Sequence, residues 1–240
     1  MARRKAYVAM DTNSLLRFTY AITTARYKNE ATVKRRIAET GIIEILVTTY
    51  VLEETRRNIL KFIRSAKLER HGWREPPEEV VRRVMSELDN LLAAGVVVNI
   101  EEPYGKYARQ LQAVLNRPSR QVLFKHRDAL KECLRYSRCG TQLEKDIPIA
   151  TGFLLAYDVA AAVPLRSHAG IASPPFVAVS YDFNLLCTLY HCLQRLGLHD
   201  RIILLRYDMF GRQLANWLHG GTLSTTSLEK ECKDRCILRP

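Results

Sequence analysis

The stretch Ala6-Tyr7-Val8-Ala9-Met10-Asp11-Thr12-Asn13 decides the fold. An uninterrupted apolar run stops at an aspartate, and a helical pattern starts directly behind it. Such a run reads as a first strand buried on both faces. Open α/β sheets place ligands in the crevice beyond the carboxyl ends of their strands, which is where Asp11 stands. A carboxylate is costly to bury unless something pairs with it. Either Asp11 caps the helix that follows at Thr12-Asn13, or it binds a cation.

Four more short runs rich in β-branched residues follow, at 42–48, 96–100, 176–180 and 202–206. Helical periodicity fills the intervals, at 14–20, 33–39, 51–67, 78–93, 106–115, 122–136, 147–163, 184–196 and 209–218. Strands alternating with helices, the strands apolar throughout, predict a three-layer α/β/α domain around a parallel five-stranded sheet. Two regions, 56–94 and 103–145, carry more helix than a crossover requires and read as helical additions to one domain covering 1–220. The Gly-, Ser- and Pro-containing segment 164–175 reads as a flexible loop. Residues 221–240 are polar without a clear period and read as a tail.

The chain has 240 residues, 47% of them hydrophobic, enough for a substantial core and too many for disorder. No run reaches the ~18 apolar residues of a membrane span, and the basic start Met-Ala-Arg-Arg-Lys meets Asp11 too soon for a signal peptide. A soluble, cytoplasmic protein with no membrane partner is expected. Its six cysteines, Cys133, Cys139, Cys187, Cys192, Cys232 and Cys236, include no Cys-x-x-Cys pair. Buried free thiols in a reducing compartment are therefore expected rather than a zinc ribbon. The net charge of +12 and an Arg excess over Lys of more than two to one suit a polyanionic partner, most simply nucleic acid.

Four acids occupy equivalent places in this framework. Asp11 ends the first strand, Glu54 follows the second in Val51-Leu52-Glu53-Glu54, Asp146 opens a helix after Lys145, and Asp182 ends the fourth strand in Ser180-Tyr181-Asp182. Strand C-termini and the following helix N-termini share one rim of a parallel sheet, so the four should converge. Clustered carboxylates raise one another's pKa. A divalent cation relieves that repulsion, and all-oxygen ligands suit Mg²⁺ or Mn²⁺. The competing reading is that Glu54 and its neighbour Glu53 are first-turn acids favoured by the helix dipole, with Glu53 spaced to pair with Arg57. On the same reading Asp182 and Asn184 form a cap.

Taken in order, these four segments resemble the PIN-domain nucleases. The resemblance covers roughly residues 6–218 with the helical additions excluded. It implies a pocket of three or four acids that binds Mg²⁺ or Mn²⁺ and cleaves RNA phosphodiesters. Asp11, Asp146 and Asp182 would be the metal ligands, and Glu54 a further catalytic acid. Family members often carry another acid two residues past the last aspartate, where this chain has Asn184. The spacing from Asp146 to Asp182 is longer than usual in that family, which makes Asp158 a rival third acid. Asp146 is preferred because it opens a helix after polar sequence, whereas Asp158 sits mid-helix.

The chemistry expected is metal-assisted phosphodiester hydrolysis, with Thr12, Asn13 and Asn184 as supporting polar groups. Glu54, Arg57, Lys61 and Arg64 share one face of an ideal helix, a stripe that a phosphate backbone could follow or simply a solvated surface. Arg117, Arg120, Lys125 and Arg127, interleaved with Phe124 and His126, form a second basic and aromatic patch, and Tyr104 and Tyr107 beside Lys106 and Arg109 a third. RNA is the expected partner, and the oligomeric state is left open, a homodimer included. A haloacid-dehalogenase-type phosphatase also begins with a strand-terminal aspartate, but needs an acid where Asn13 stands. The same fold with a lapsed site, serving as an RNA-binding or assembly scaffold, is the non-enzymatic alternative. A growth-arresting toxin nuclease would be more compact.

Overall fold

The computed structural model describes residues 5–24, 41–65, 76–116, 120–136, 139, 143–162, 174–233 and 235–236. The helix expected at 33–39 and most of the loop at 164–175 lie outside these residues. Five strands form one parallel sheet: β1 (Ala6–Met10), β2 (Ile43–Val47), β3 (Val97–Asn99), β4 (Phe176–Ser180) and β5 (Ile203–Arg206). β1, β2 and β4 are buried at every position. That is why their sequences read as continuous apolar runs rather than alternating ones.

The spatial order is β3-β2-β1-β4-β5. Helices α1 (Thr12–Thr24), α2 (Thr49–Ser65) and α3 (Pro77–Ala93) lie on one face, with α8 (Tyr207–Leu218). Helices α4 (Ala108–Asn116), α5 (Arg120–Arg135), α6 (Leu143–Ala162) and α7 (Phe183–Arg195) lie on the other, with α9 (Thr226–Cys232). Successive strand residues feed opposite layers: Val8 and Met10 pack with Leu15, Phe18 and Phe210, while Tyr7 and Ala9 pack with Phe153 and Leu186. The result is the expected three-layer α/β/α architecture. The first helical addition packs on α1 around Leu16, Tyr20, Ile59, Ile63, Val80 and Val84. The second, α4 and α5, packs on α6 and α7.

Three local features set how the helices meet the sheet. α2 starts two residues before its apolar period, because Glu101 beyond β3 accepts a bond from the Thr49 N–H at 2.8 Å. α6 can approach the end of β2 because Gly152 has no side chain. A Cβ there would stand 3.1 Å from Thr48 Cγ2. Gly95, at φ +67°, closes α3 in the left-handed conformation that allows the immediate turn into β3.

Three expectations are corrected. Residues 221–240 are not simply a tail, since α9 packs on α7 and β5 and buries Leu228, Cys232 and, just beyond it, Cys236. Its short length and few apolar residues left too little period to read. The cysteines are not free thiols: Cys133–Cys192, Cys139–Cys236 and Cys187–Cys232 are disulfides and no free cysteine remains. Their spacings of 59, 97 and 45 residues carry no local signature, because pairing is made by helices α5, α7 and α9 and their adjoining loops meeting on one face. Tyr107 is not a surface stacking residue. It is buried edge-on to Tyr7, its centroid 6.3 Å away, and its hydroxyl donates to Glu44.

Glu44 is a buried acid in β2, and it also accepts from Lys5 and from Lys106 Nζ at 2.5 Å. Burial alone would raise its carboxyl, but the donors Lys106, Lys5 and Tyr107 together hold it below the ordinary range, while burial and Glu44 push the Tyr107 phenol up. A depressed carboxyl adds stability that is present above its unfolded value near 4.5 and is lost as pH falls through the folded value. Glu44→Ala should cost about 1–3 kcal/mol by urea denaturation, mainly by stranding the Tyr107 hydroxyl. The variant should also lose part of the stability decline below pH 4.5. Replacing Cys187 and Cys232 together by Ser should cost a further 2–4 kcal/mol, roughly, at equilibrium. Thiol titration of the unfolded, unreduced wild type should find no free sulfhydryl.

Candidate active site

Strand order reverses between β1 and β4: α1 leaves β1 for one face and α7 leaves β4 for the other. The gap between the departing helices is a topological switch point. A cleft of about 570 Å³ opens there, walled by the starts of α1, α6 and α7 and by one side of α2. Asp11, Glu54, Asp146 and Asp182 all line it, as do Thr12, Asn13 and Asn184. Asp158, three turns further along α6, does not line the cleft, whereas Asp146 does.

Asp11 forms the floor and is 2% exposed. Its Oδ1 accepts from the Ser14 N–H at 2.7 Å, capping α1. Its Oδ2 accepts from the Ser180 hydroxyl and from the Tyr181 N–H at 3.3 Å. The same hydroxyl accepts from the Asp182 N–H at 2.9 Å, so Ser180 bridges the two aspartates. Burial nonetheless raises the Asp11 carboxyl above its ordinary value, against the pull of these donors. Asp182 caps α7, its Oδ1 accepting from the N–H groups of Asn184 and Leu185 at 2.9 and 3.1 Å. Glu54 Oε2 accepts from the Thr12 hydroxyl, which ties α2 to α1 across the cleft. Asp146 is buried in the first turn of α6, where the helix dipole favours a negative charge.

The capping readings of Asp11 and Asp182 are therefore correct, and they do not exhaust these groups. A carboxylate offers about four lone-pair sites. Among the described residues only Oδ1 of Asp182 is engaged. Among the same residues, no three His, Cys, Asp or Glu side chains are grouped closely enough to hold one metal ion. The acids that line the cleft offer oxygen donors, the kind Mg²⁺ or Mn²⁺ takes, and a cation would offset the part of the burial of Asp11 that its three donors leave.

Of the basic stripe on α2, Lys61 lines the cleft. Arg57 pairs with Glu53 at 2.9 Å and Arg64 with Glu78 at 3.1 Å, both in exposed positions. Exposed pairs of this kind are worth about 0–1 kcal/mol, weak enough to be exchanged for phosphate. Glu53 points to solvent with Arg57, which separates it from Glu54. Arg117 and the side chains of Arg120 and Lys125 lie outside the described residues. Arg127 is exposed on α5 and takes no part in the cleft. Tyr104 is 96% exposed, whereas its neighbour Lys106 is drawn to Glu44.

Sequence reading missed Arg17, Asn58 and Tyr181 as cleft residues. Arg17 and Asn58 each lie four residues past a cleft residue that was identified, Asn13 and Glu54, so helical spacing could have found them. No protein-family model matches the chain, and comparisons with curated proteins and with solved structures return no match.

A carboxyl raised by burial makes the native state bind more protons than the unfolded chain at pH values above 3.8, up to its folded value. In EDTA, stability should therefore fall as pH rises through that window and level off above it. Asp11→Asn should remove this slope, so its stability relative to wild type should improve from acid to neutral pH. Denaturation at a series of pH values measures both.

Proposed function

We propose that the protein is a metal-dependent ribonuclease of the PIN-like kind, cutting phosphodiester bonds at the switch-point cleft. One observation carries the reading: acids from four separate segments of the chain line a single cleft at the end of the central strands. Caps alone would not require that convergence. Three cationic side chains, Arg17, Lys61 and Lys145, line the same cleft and suit an anionic substrate. The overall charge of +12 extends the attraction beyond the cleft.

Asp11, Asp146 and Asp182 would hold Mg²⁺ or Mn²⁺ directly or through water, since the three are not grouped closely enough for all to be direct ligands of one ion. When bound, the ion supplies acidification of water and neutralisation of charge at the phosphate. Asp11 is immobilised by three donors and would bind without reorganising. Thr12 fixes Glu54 through Oε2, leaving Oε1 to accept a proton from the attacking water. Lys61 and Lys145 would draw the phosphate backbone to the cleft, and Asn13 and Asn184 would orient water or phosphate oxygens without adding charge. Asn184 gives a weaker second ion site than an acid would.

Among the described residues no helix is long and apolar enough to cross a membrane. A cytoplasmic location remains our proposal, and three disulfides restrict it: such bonds persist in oxidising compartments or in the cytosol of hyperthermophiles. Asp11→Asn should abolish cutting of end-labelled single-stranded RNA in Mn²⁺ or Mg²⁺ while binding the RNA as well as wild type or better. EDTA should abolish wild-type cutting. If neither protein cuts yet both bind, the cleft belongs to a non-catalytic RNA-binding scaffold instead.

A further inference from the structure

Arg17 lines the cleft, yet no carboxylate pairs with it among the described residues, although four acids line the same cleft. Its Nε is fully buried and has no hydrogen-bond partner among the described residues. The guanidinium is held by aromatic rings instead, 3.8 Å from the Tyr181 centroid and 5.4 Å from that of Phe62. A half-buried cation gripped by π-faces keeps its charge and its planar donor fork unspent. Tyr181 stands between Ser180 and Asp182, both tied to the floor of the cleft, and is still 50% exposed. A large aromatic ring left that open, on a short and well-anchored segment, is suited to receive another flat group.

We propose that Arg17 and Tyr181 are the substrate-gripping pair of the cleft. Arg17 clamps a phosphate of single-stranded nucleic acid, and Tyr181 stacks the neighbouring base, which sets the position of the strand relative to the acids. The inference rests on the nuclease reading for its choice of substrate, but its test needs no cleavage. Single strands are specified because a duplex keeps its bases stacked on one another. Arginine suits the clamp because its fork meets phosphate in two parallel bonds, which lysine cannot reproduce.

The test is fluorescence anisotropy in EDTA with a 5′-labelled 12-nucleotide RNA and with a ribose-phosphate strand of equal length lacking bases. Melting temperatures confirm that each variant folds. Tyr181→Leu should weaken binding of the base-bearing RNA about 5- to 100-fold and the base-free strand far less, only through loss of the ring that holds Arg17. Tyr181→Phe, which keeps the ring, should restore what Tyr181→Leu loses. Arg17→Lys should weaken both strands by roughly tenfold. Wild-type affinity in Tyr181→Leu and Arg17→Lys would overturn the inference, as would equal loss on both strands in Tyr181→Leu. Cutting in Mn²⁺, run in parallel, separates the two readings. Cutting by wild type with variants that bind normally overturns the grip and spares the nuclease. The expected binding pattern without any cutting supports the grip and overturns the nuclease.

Discussion

The buried carboxylate of Asp11 is the constraint on which the cleft depends. It sits buried at the end of the central strand, where protein donors must stand in for the water it has lost. Three donors from two elements meet it: a backbone N–H of α1, and a hydroxyl and a backbone N–H at the end of β4. Those bonds join β1 to β4 at the place where their helices diverge, and they fix the segment 180–182 that carries Tyr181 and Asp182. Without a polar group at that point the strand ends would have only sheet bonds to hold them. With it, hydrogen bonds tie the rim together, and burial raises the carboxyl above its ordinary value.

The cleft is electrostatically mixed rather than simply acidic. Three of its four acids are engaged locally, Asp11 and Asp182 by helix N-termini and Glu54 by Thr12. Among the described residues its cations form no ion pair with these three. Arg17 rests on rings, and Lys61 and Lys145 are exposed at the edge. Separating the two signs in this way keeps the cleft from neutralising itself. Had Arg17 paired with an acid, each would have cancelled the other.

The opposite face of the molecule is organised by covalent bonds. All three disulfides lie in the layer of α5, α7 and α9. Two of them anchor the C-terminal segment, whose Arg235 also meets the first residue of α7, its guanidinium carbon 5.1 Å from the Phe183 ring, while that of Arg206 at the end of β5 lies 5.3 Å from the same ring. Arg206 also bonds Asp208 and, at 3.0 Å, Glu231 of α9. α7 begins directly behind Asp182, so this packing supports one wall of the cleft from behind.

The strands were legible because burial on both faces leaves an unmistakable apolar run, and β1 and β4 were placed to the residue. The four acids were legible because each follows a strand end or opens a helix, and a parallel sheet gathers those positions on one rim. Glu44 and Tyr107 were not, since an acid inside an apolar strand has meaning only once Lys5, Lys106 and the phenol arrive from elsewhere in the chain. The same holds for the disulfides and for the polar-looking segment that contains α9. Period and strand-end position are local properties, so the sequence by itself determined the layers and the rim. Which side chain meets which is a property of packing between distant segments. Only the tertiary structure decided that the strand order reverses beside Asp11, that the cysteines pair, and that Arg17 lies against Tyr181 instead of an acid.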